Sequence, residues 1–92
     1  MTTNPVIDDI ERHRYELTEQ GVTSFADYHR SGGVVVIPHV ETPPAARGGG
    51  MASRLMDGVA QHLRAEGLKV VPTCPYAAAW FRRRPELADL LA

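Results

Sequence analysis

The order of patterns along these 92 residues predicts an α/β (α+β) fold, a compact mixed β-sheet of about four strands with two main helices, in the order β-β-β-α-β-α. Three observations carry that expectation. The N-terminal third alternates loosely in hydropathy and is punctuated by glycine turns, as hairpin-joined strands are. The run Val34-Val35-Val36-Ile37 is apolar on both faces, as a central strand should be. From Gly50 the apolar spacing changes to three and four, and a short strand and a second helix pattern follow, which implies a crossover connection.

Taken in order, Arg12–Thr18 reads as a strand and Glu19-Gln20-Gly21 as a turn. Val22–Arg30 is a second strand, with Val22, Ser24, Ala26 and Tyr28 on one face and Thr23, Phe25 and Asp27 on the other. Ser31-Gly32-Gly33 is a hairpin turn, and Val34–Glu41 is the third strand. Between Gly50 and Glu66, Met51, Leu55, Met56, Val59, Ala60 and Leu63 form one helical stripe, with Arg54, Asp57, Gln61 and Arg64 opposite. Gly67 stops that helix, because glycine adopts the left-handed closing conformation cheaply. Leu68–Pro72 is a short strand. Thr73-Cys74-Pro75 opens a helix over Ala77–Arg83, Pro85 breaks it, and Glu86–Leu91 is a final short turn or helix.

Composition sets the bounds. Ten basic and eleven acidic residues give a net charge of −1, so nucleic-acid and membrane partners are not expected. Arg82-Arg83-Arg84 reads as a solvated helix end, with charge pairing to a ligand phosphate as the alternative, and Tyr28, Trp80 and Phe81 read as core rather than ligand stackers. The single cysteine, Cys74, excludes an internal disulfide, and four scattered histidines suggest no shared metal site. Neither a signal-peptide pattern nor an apolar run of roughly 20 residues is present, so a single cytoplasmic domain is expected over 1–92.

The segment Thr42-Pro43-Pro44-Ala45-Ala46-Arg47-Gly48-Gly49-Gly50-Met51-Ala52 carries the chemistry. It joins a strand to a helix N-terminus through glycines. Glycine lets the backbone approach a ligand closely, and the first free N–H groups of a helix, backed by its dipole, attract anions. A phosphate-bearing ligand is the expectation; a glycine turn that binds nothing is the alternative. The loop lacks the Lys-Ser/Thr ending of an ATP-binding P-loop and is not GxGxxG. It fits [Arg/Gln]-x-x-Gly-x-[Gly/Ala], with Arg47, Gly50 and Ala52 in the defining places.

On that pattern the chain resembles the GNAT N-acetyltransferases. It is similar in particular to a branch of small single-domain members of about this length. The shared blocks read Ile37-Pro38-His39-Val40-Glu41-Thr42-Pro43-Pro44, Arg47–Ala52, Val70-Val71-Pro72-Thr73-Cys74-Pro75-Tyr76 and Arg84-Pro85-Glu86, over roughly residues 12–90. The resemblance implies acetyl-CoA as cofactor and an amine of unknown identity as acceptor. It places the pyrophosphate on Arg47, Gly48, Gly49, Gly50, Met51, Ala52 and Ser53, mostly through backbone N–H groups. It places the pantetheine between splayed strands, beside Pro38 and Val40 and near Cys74, Tyr76 and Ala77.

Three residues are candidates for the catalytic chemistry. His39 is two residues before Glu41 on one strand, so the two side chains share a face. A neutral imidazole there suits proton removal from an ammonium group. Glu41 has three readings: a second base, a group orienting His39, or a solvated strand-end acid. Cys74 lies at a strand–helix junction, where a thiol serves as acyl carrier, as acid toward the leaving thiolate, or as a small buried apolar residue. Larger members of the family carry an Asn at this helix start and a Tyr seven positions later. Counted from Cys74, that later position holds Phe81, which donates no proton, so Cys74, Tyr76 or water would have to replace it. The short chain, without the N-terminal strand–helix pair of larger members, leaves a non-catalytic acyl-CoA-binding or sensing module as the alternative function. A monomer or weak homodimer is expected.

Overall fold

The computed structural model describes residues 3–92; Met1 and Thr2, where the expected domain begins, lie outside the described residues. Five strands form one sheet in chain order: β1 (Ile7–Asp9), β2 (Arg14–Glu19), β3 (Val22–Ser31), β4 (Val34–Glu41) and β5 (Lys69–Pro72). The first four are antiparallel neighbours. β5 returns parallel to β4 after helix α1 (Met51–Glu66). Helix α2 (Pro75–Arg82) follows, and 3-10 turns cover Pro44–Ala46 and Pro85–Leu90.

The expected mixed sheet is present with one strand more than anticipated. β1 is three residues long and contains two aspartates, a residue depleted in strands, so no local pattern marks it. Its partner makes it a strand. Ile7, Asp8 and Asp9 pair with Glu16, Tyr15 and Arg14, and the Tyr28 hydroxyl donates to Asp8 Oδ1 at 2.6 Å. The β2–β3 hairpin turns on Gln20 and Gly21, both with positive φ (51° and 78°), which matches the right-handed twist of the flanking strands.

Buried side chains fall on one face of each strand: Tyr15 and Leu17, then Ser24, Ala26 and Tyr28, then Val35 and Ile37, then Val70. Against that face α1 sets Leu55, Met56, Val59 and Leu63, and α2 sets Ala77, Trp80 and Phe81. Helix α1 lies over β2 and β3, while α2 lies over β4 and β5. On the other face, Arg14, Glu16, Phe25, Asp27, His39 and Glu41 are all exposed or half-buried, so this side of the sheet is open.

Two irregularities shape the site. From Asp27 to His29, β3 takes two steps while β4 takes three, from Val36 to His39. β4 therefore carries one extra residue at Ile37-Pro38, where the proline has no N–H to give to a ladder. Pairing with β5 stops at Ile37, opposite Pro72. Beyond it the N–H groups of Thr73 and Cys74 both donate to the Ile37 carbonyl, at 3.1 and 3.0 Å, and the chain turns away into α2. Among the described residues, Pro38–Glu41 thus have β3 on one side and no strand partner on the other.

Candidate active site

The glycine loop ends in a helix start that no side chain among the described residues caps. Gly50 is the N-terminal cap residue of α1, with left-handed φ 81° and ψ 8°. It has no side chain to bond the first N–H groups, no other side chain among the described residues bonds them, and the first turn holds no acid. Those N–H groups have no intrahelical partners by the geometry of the helix. A cavity of about 270 Å³ opens there, lined by Thr42, Ala46, Arg47, Gly48, Gly50, Met51, Ala52, Ser53 and Tyr76. Its chemistry is that of an anion site, with unpaired donors, a helix dipole and no carboxylate. Of the loop residues expected at a pyrophosphate, Gly49 alone stands outside this lining, in a neighbouring cavity with Glu19 and Arg54.

Two polar side chains at this end, Arg47 and Ser53, make bonds within the protein. Arg47 is exposed, and its Nε donates to the Thr42 carbonyl at 3.0 Å, bracing the loop. The Ser53 hydroxyl accepts from Trp80 Nε1 at 3.0 Å and from Arg84 Nη2 at 3.1 Å. These bonds tie α1 to α2 and leave the Ser53 backbone for the cavity. Tyr76 is 41% exposed, and burial holds its hydroxyl above the ordinary tyrosine range against the pull of Arg84 and Arg83, so it stays a neutral donor.

The unpaired stretch of β4 leads away from this cavity. Val40 turns inward and packs against the core, while Pro38, His39 and Glu41 are exposed. His39 Nε2 lies 3.3 Å from Glu41 Oε1, and the His39 ring meets Phe25 edge-on at 6.1 Å. Both side chains stand about half exposed on the open face of the sheet, so the shared-face expectation holds. Ser24, buried on β3, donates to the Glu41 carbonyl at 2.8 Å and shares a second bond with Thr42 Oγ1, fixing where β4 passes into the loop.

Cys74 caps α2 from across the gap. It is buried, and its N–H bond to the Ile37 carbonyl sets it beside the point where β4 and β5 part. Ala77 is fully buried and serves the core. His39 and Cys74 share no hydrogen bond among the described residues; the partner of the His39 ring is Glu41. Sequence reasoning placed Arg54 on the solvent side of α1 and did not single out Glu19, Ser24 or Phe25. Their roles arise from β2 and β3 passing beside the loop and β4, which spacing along one segment does not reveal. A larger cavity, about 620 Å³, lies elsewhere, between α1 and the turn at Pro85–Leu90.

Comparison with known proteins defines the class first. A family model described as GCN5-related N-acetyl-transferase matches residues 14–90. A GCN5-like protein from Staphylococcus aureus, described as a proposed N-acetyltransferase and solved by NMR, superposes with a TM-score of 0.67 at 15% identity. That match covers 100% of this chain and 91% of the other. No curated protein matches the sequence. The chain belongs to the GCN5-related N-acetyltransferase family, and the structural match supports the fold.

Proposed function

We propose that this protein binds acetyl-CoA and transfers its acetyl group to an amine. One observation carries the reading: the uncapped start of α1 opens on a cavity with no carboxylate, and the free edge of β4 begins where β5 turns away. A diphosphate at the first feature and an extended amide-bearing arm along the second match those donors. The backbone N–H groups of Gly50, Met51, Ala52 and Ser53 bind the pyrophosphate, backed by the helix dipole. Gly48 and Arg47 shape the loop, and Tyr76 closes the cavity on the α2 side.

Acetyl-CoA supplies an activated acetyl thioester, and the chain supplies placement and proton transfer. The free edge at Pro38–Val40 pairs with the arm and holds the thioester carbonyl, where backbone donors stabilise developing charge. His39 takes the proton from the incoming ammonium, and the Glu41 carboxylate 3.3 Å away orients the ring. Cys74, at the start of α2, is the proton donor to the departing thiolate. Turnover of a primary amine by the purified protein, lost in His39→Ala with coenzyme A affinity kept, is the expected outcome. Turnover unchanged in that variant would remove His39 from the role.

A second reading has its own observation. None of the five cavities described is lined by His39, Glu41 or Cys74. A non-catalytic acyl-CoA-binding module would look the same at the loop. It would bind acetyl-CoA without consuming it in the presence of amines.

A further inference from the structure

The geometry points to Arg54 and Glu19 as positioning residues that fix which way the Gly49–Gly50 peptide unit faces, and so aim the Gly50 N–H into the anion cavity. The inference rests on reading that cavity as the pyrophosphate site.

A trans peptide unit is planar, with its C=O and N–H pointing in opposite directions. The chain has no cis bonds among the described residues, so the Gly49 carbonyl and the Gly50 N–H are opposed. Half a turn of that plane would exchange them, and a carbonyl oxygen would then face the anion. Side chains normally oppose such a flip. Here Gly48 and Gly50 already have positive φ, 87° and 81°, and Gly49 lies between them, so the three glycines offer little resistance. The direction of this plane needs an external hold.

Arg54 provides one. Its Nη1 donates to the Gly49 carbonyl at 2.8 Å. Its Nε and Nη2 grip both oxygens of Glu19 at 2.8 and 2.7 Å, the two-pronged arrangement that suits a guanidinium. All three guanidinium nitrogens are engaged. Glu19 ends β2 at the Gln20-Gly21 turn, so the anchor is a hairpin built into the sheet rather than another loop. The lining of the two cavities agrees. Gly49 borders the cavity of about 470 Å³ that also holds Glu19 and Arg54, while Gly50 borders the one that holds Tyr76. Glu19 offsets the Arg54 charge, so the pair acts on the direction of a dipole and not as a free cation.

The test uses Arg54→Met, which keeps an apolar stem and removes the fork, and Glu19→Gln, which weakens the anchor. Backbone ¹⁵N relaxation dispersion of the ligand-free proteins reads μs–ms exchange of the peptide plane at these amides. Titration with coenzyme A and with S-acetylpantetheine, which lacks the pyrophosphate, reads the consequence. In Arg54→Met, exchange is expected at the Gly49 and Gly50 amides that the parent protein lacks. Coenzyme A affinity is expected to fall about tenfold, the scale of one lost charge-assisted hydrogen bond, with S-acetylpantetheine affinity unchanged. Glu19→Gln should fall between, and Arg54→Lys should not rescue, because one ammonium lacks the planar fork that spans these acceptors. Parent-like amides and parent-like coenzyme A affinity in both Arg54→Met and Glu19→Gln would overturn the assignment. Parent protein that binds no coenzyme A would overturn the pyrophosphate reading instead, while new exchange at Gly50 in Arg54→Met would still uphold the latch.

Discussion

Gly58→Ala sets two physical rules against each other, and the structure decides the sign. Helix propensity alone favours alanine in mid-helix by about 1 kcal/mol. In α1, however, Gly58 lies beneath the N-terminal segment. A Cβ there would sit 2.2 Å from Val6 Cγ2, 2.5 Å from Val6 Cβ and 2.7 Å from Asn4 Oδ1. Carbon atoms in contact keep about 3.5–4.0 Å, so the segment must lift by about 1 Å or more. Val6 is 1% exposed, and uncovering it costs about 1.5–3 kcal/mol. Three hydrogen bonds hold the same segment: Asn4 Nδ2 to the Gly58 carbonyl, the Val6 N–H to Asn4 Oδ1, and His62 Nε2 with the Val6 carbonyl. Losing two of them adds about 1–3 kcal/mol. Set against the propensity gain, the net loss is about 1.5–5 kcal/mol, from a total near 5–15 kcal/mol for a domain of this size. Urea unfolding followed by circular dichroism measures it directly. A midpoint equal to or above the parent's, at the same slope, would refute the reasoning.

Other outcomes follow from the same geometry. Gly50→Glu puts a carboxylate at the anion cavity and a side chain on a left-handed residue whose Cβ would meet Arg54 Nη1 at 3.1 Å; calorimetry should show coenzyme A binding abolished. His39→Ala should cut acetyl transfer by about 10²-fold or more with coenzyme A affinity unchanged, read from steady-state rates and titration together. Tyr28 is pushed up to about 12, by burial first and then by its bond to Asp8. A raised value means its contribution to stability is present below pH 10 and is lost as pH climbs toward 12. Melting temperature should fall across that window, and less steeply in Tyr28→Phe.

Much of the fold was legible because its signals are local. The α1 stripe, the Gly67 stop, the hairpin glycines and the change of period at Gly50 each lie within one segment. β1 was not legible, since Ile7-Asp8-Asp9 has no strand pattern of its own and is a strand because β2 offers a free edge. The site divides in the same way. The glycine loop, the His39–Glu41 face and the place of Cys74 at a helix start follow from spacing. What holds the loop does not: Arg54 reads as one more polar residue on the outer face of a helix, and Glu19 as part of a turn. Only the sheet, by setting the β2–β3 turn beside α1, brings Glu19 onto the Arg54 guanidinium. Nor does spacing reveal that both helices share one face of the sheet, leaving His39 on an open surface.

Calorimetric titration of the purified protein with acetyl-CoA tests the central claim most directly. One-to-one binding well below millimolar Kd, abolished in Gly50→Glu, is the expected result. Binding no tighter than millimolar, or equal affinity in Gly50→Glu, would contradict the assignment of the α1 N-terminus as the pyrophosphate site.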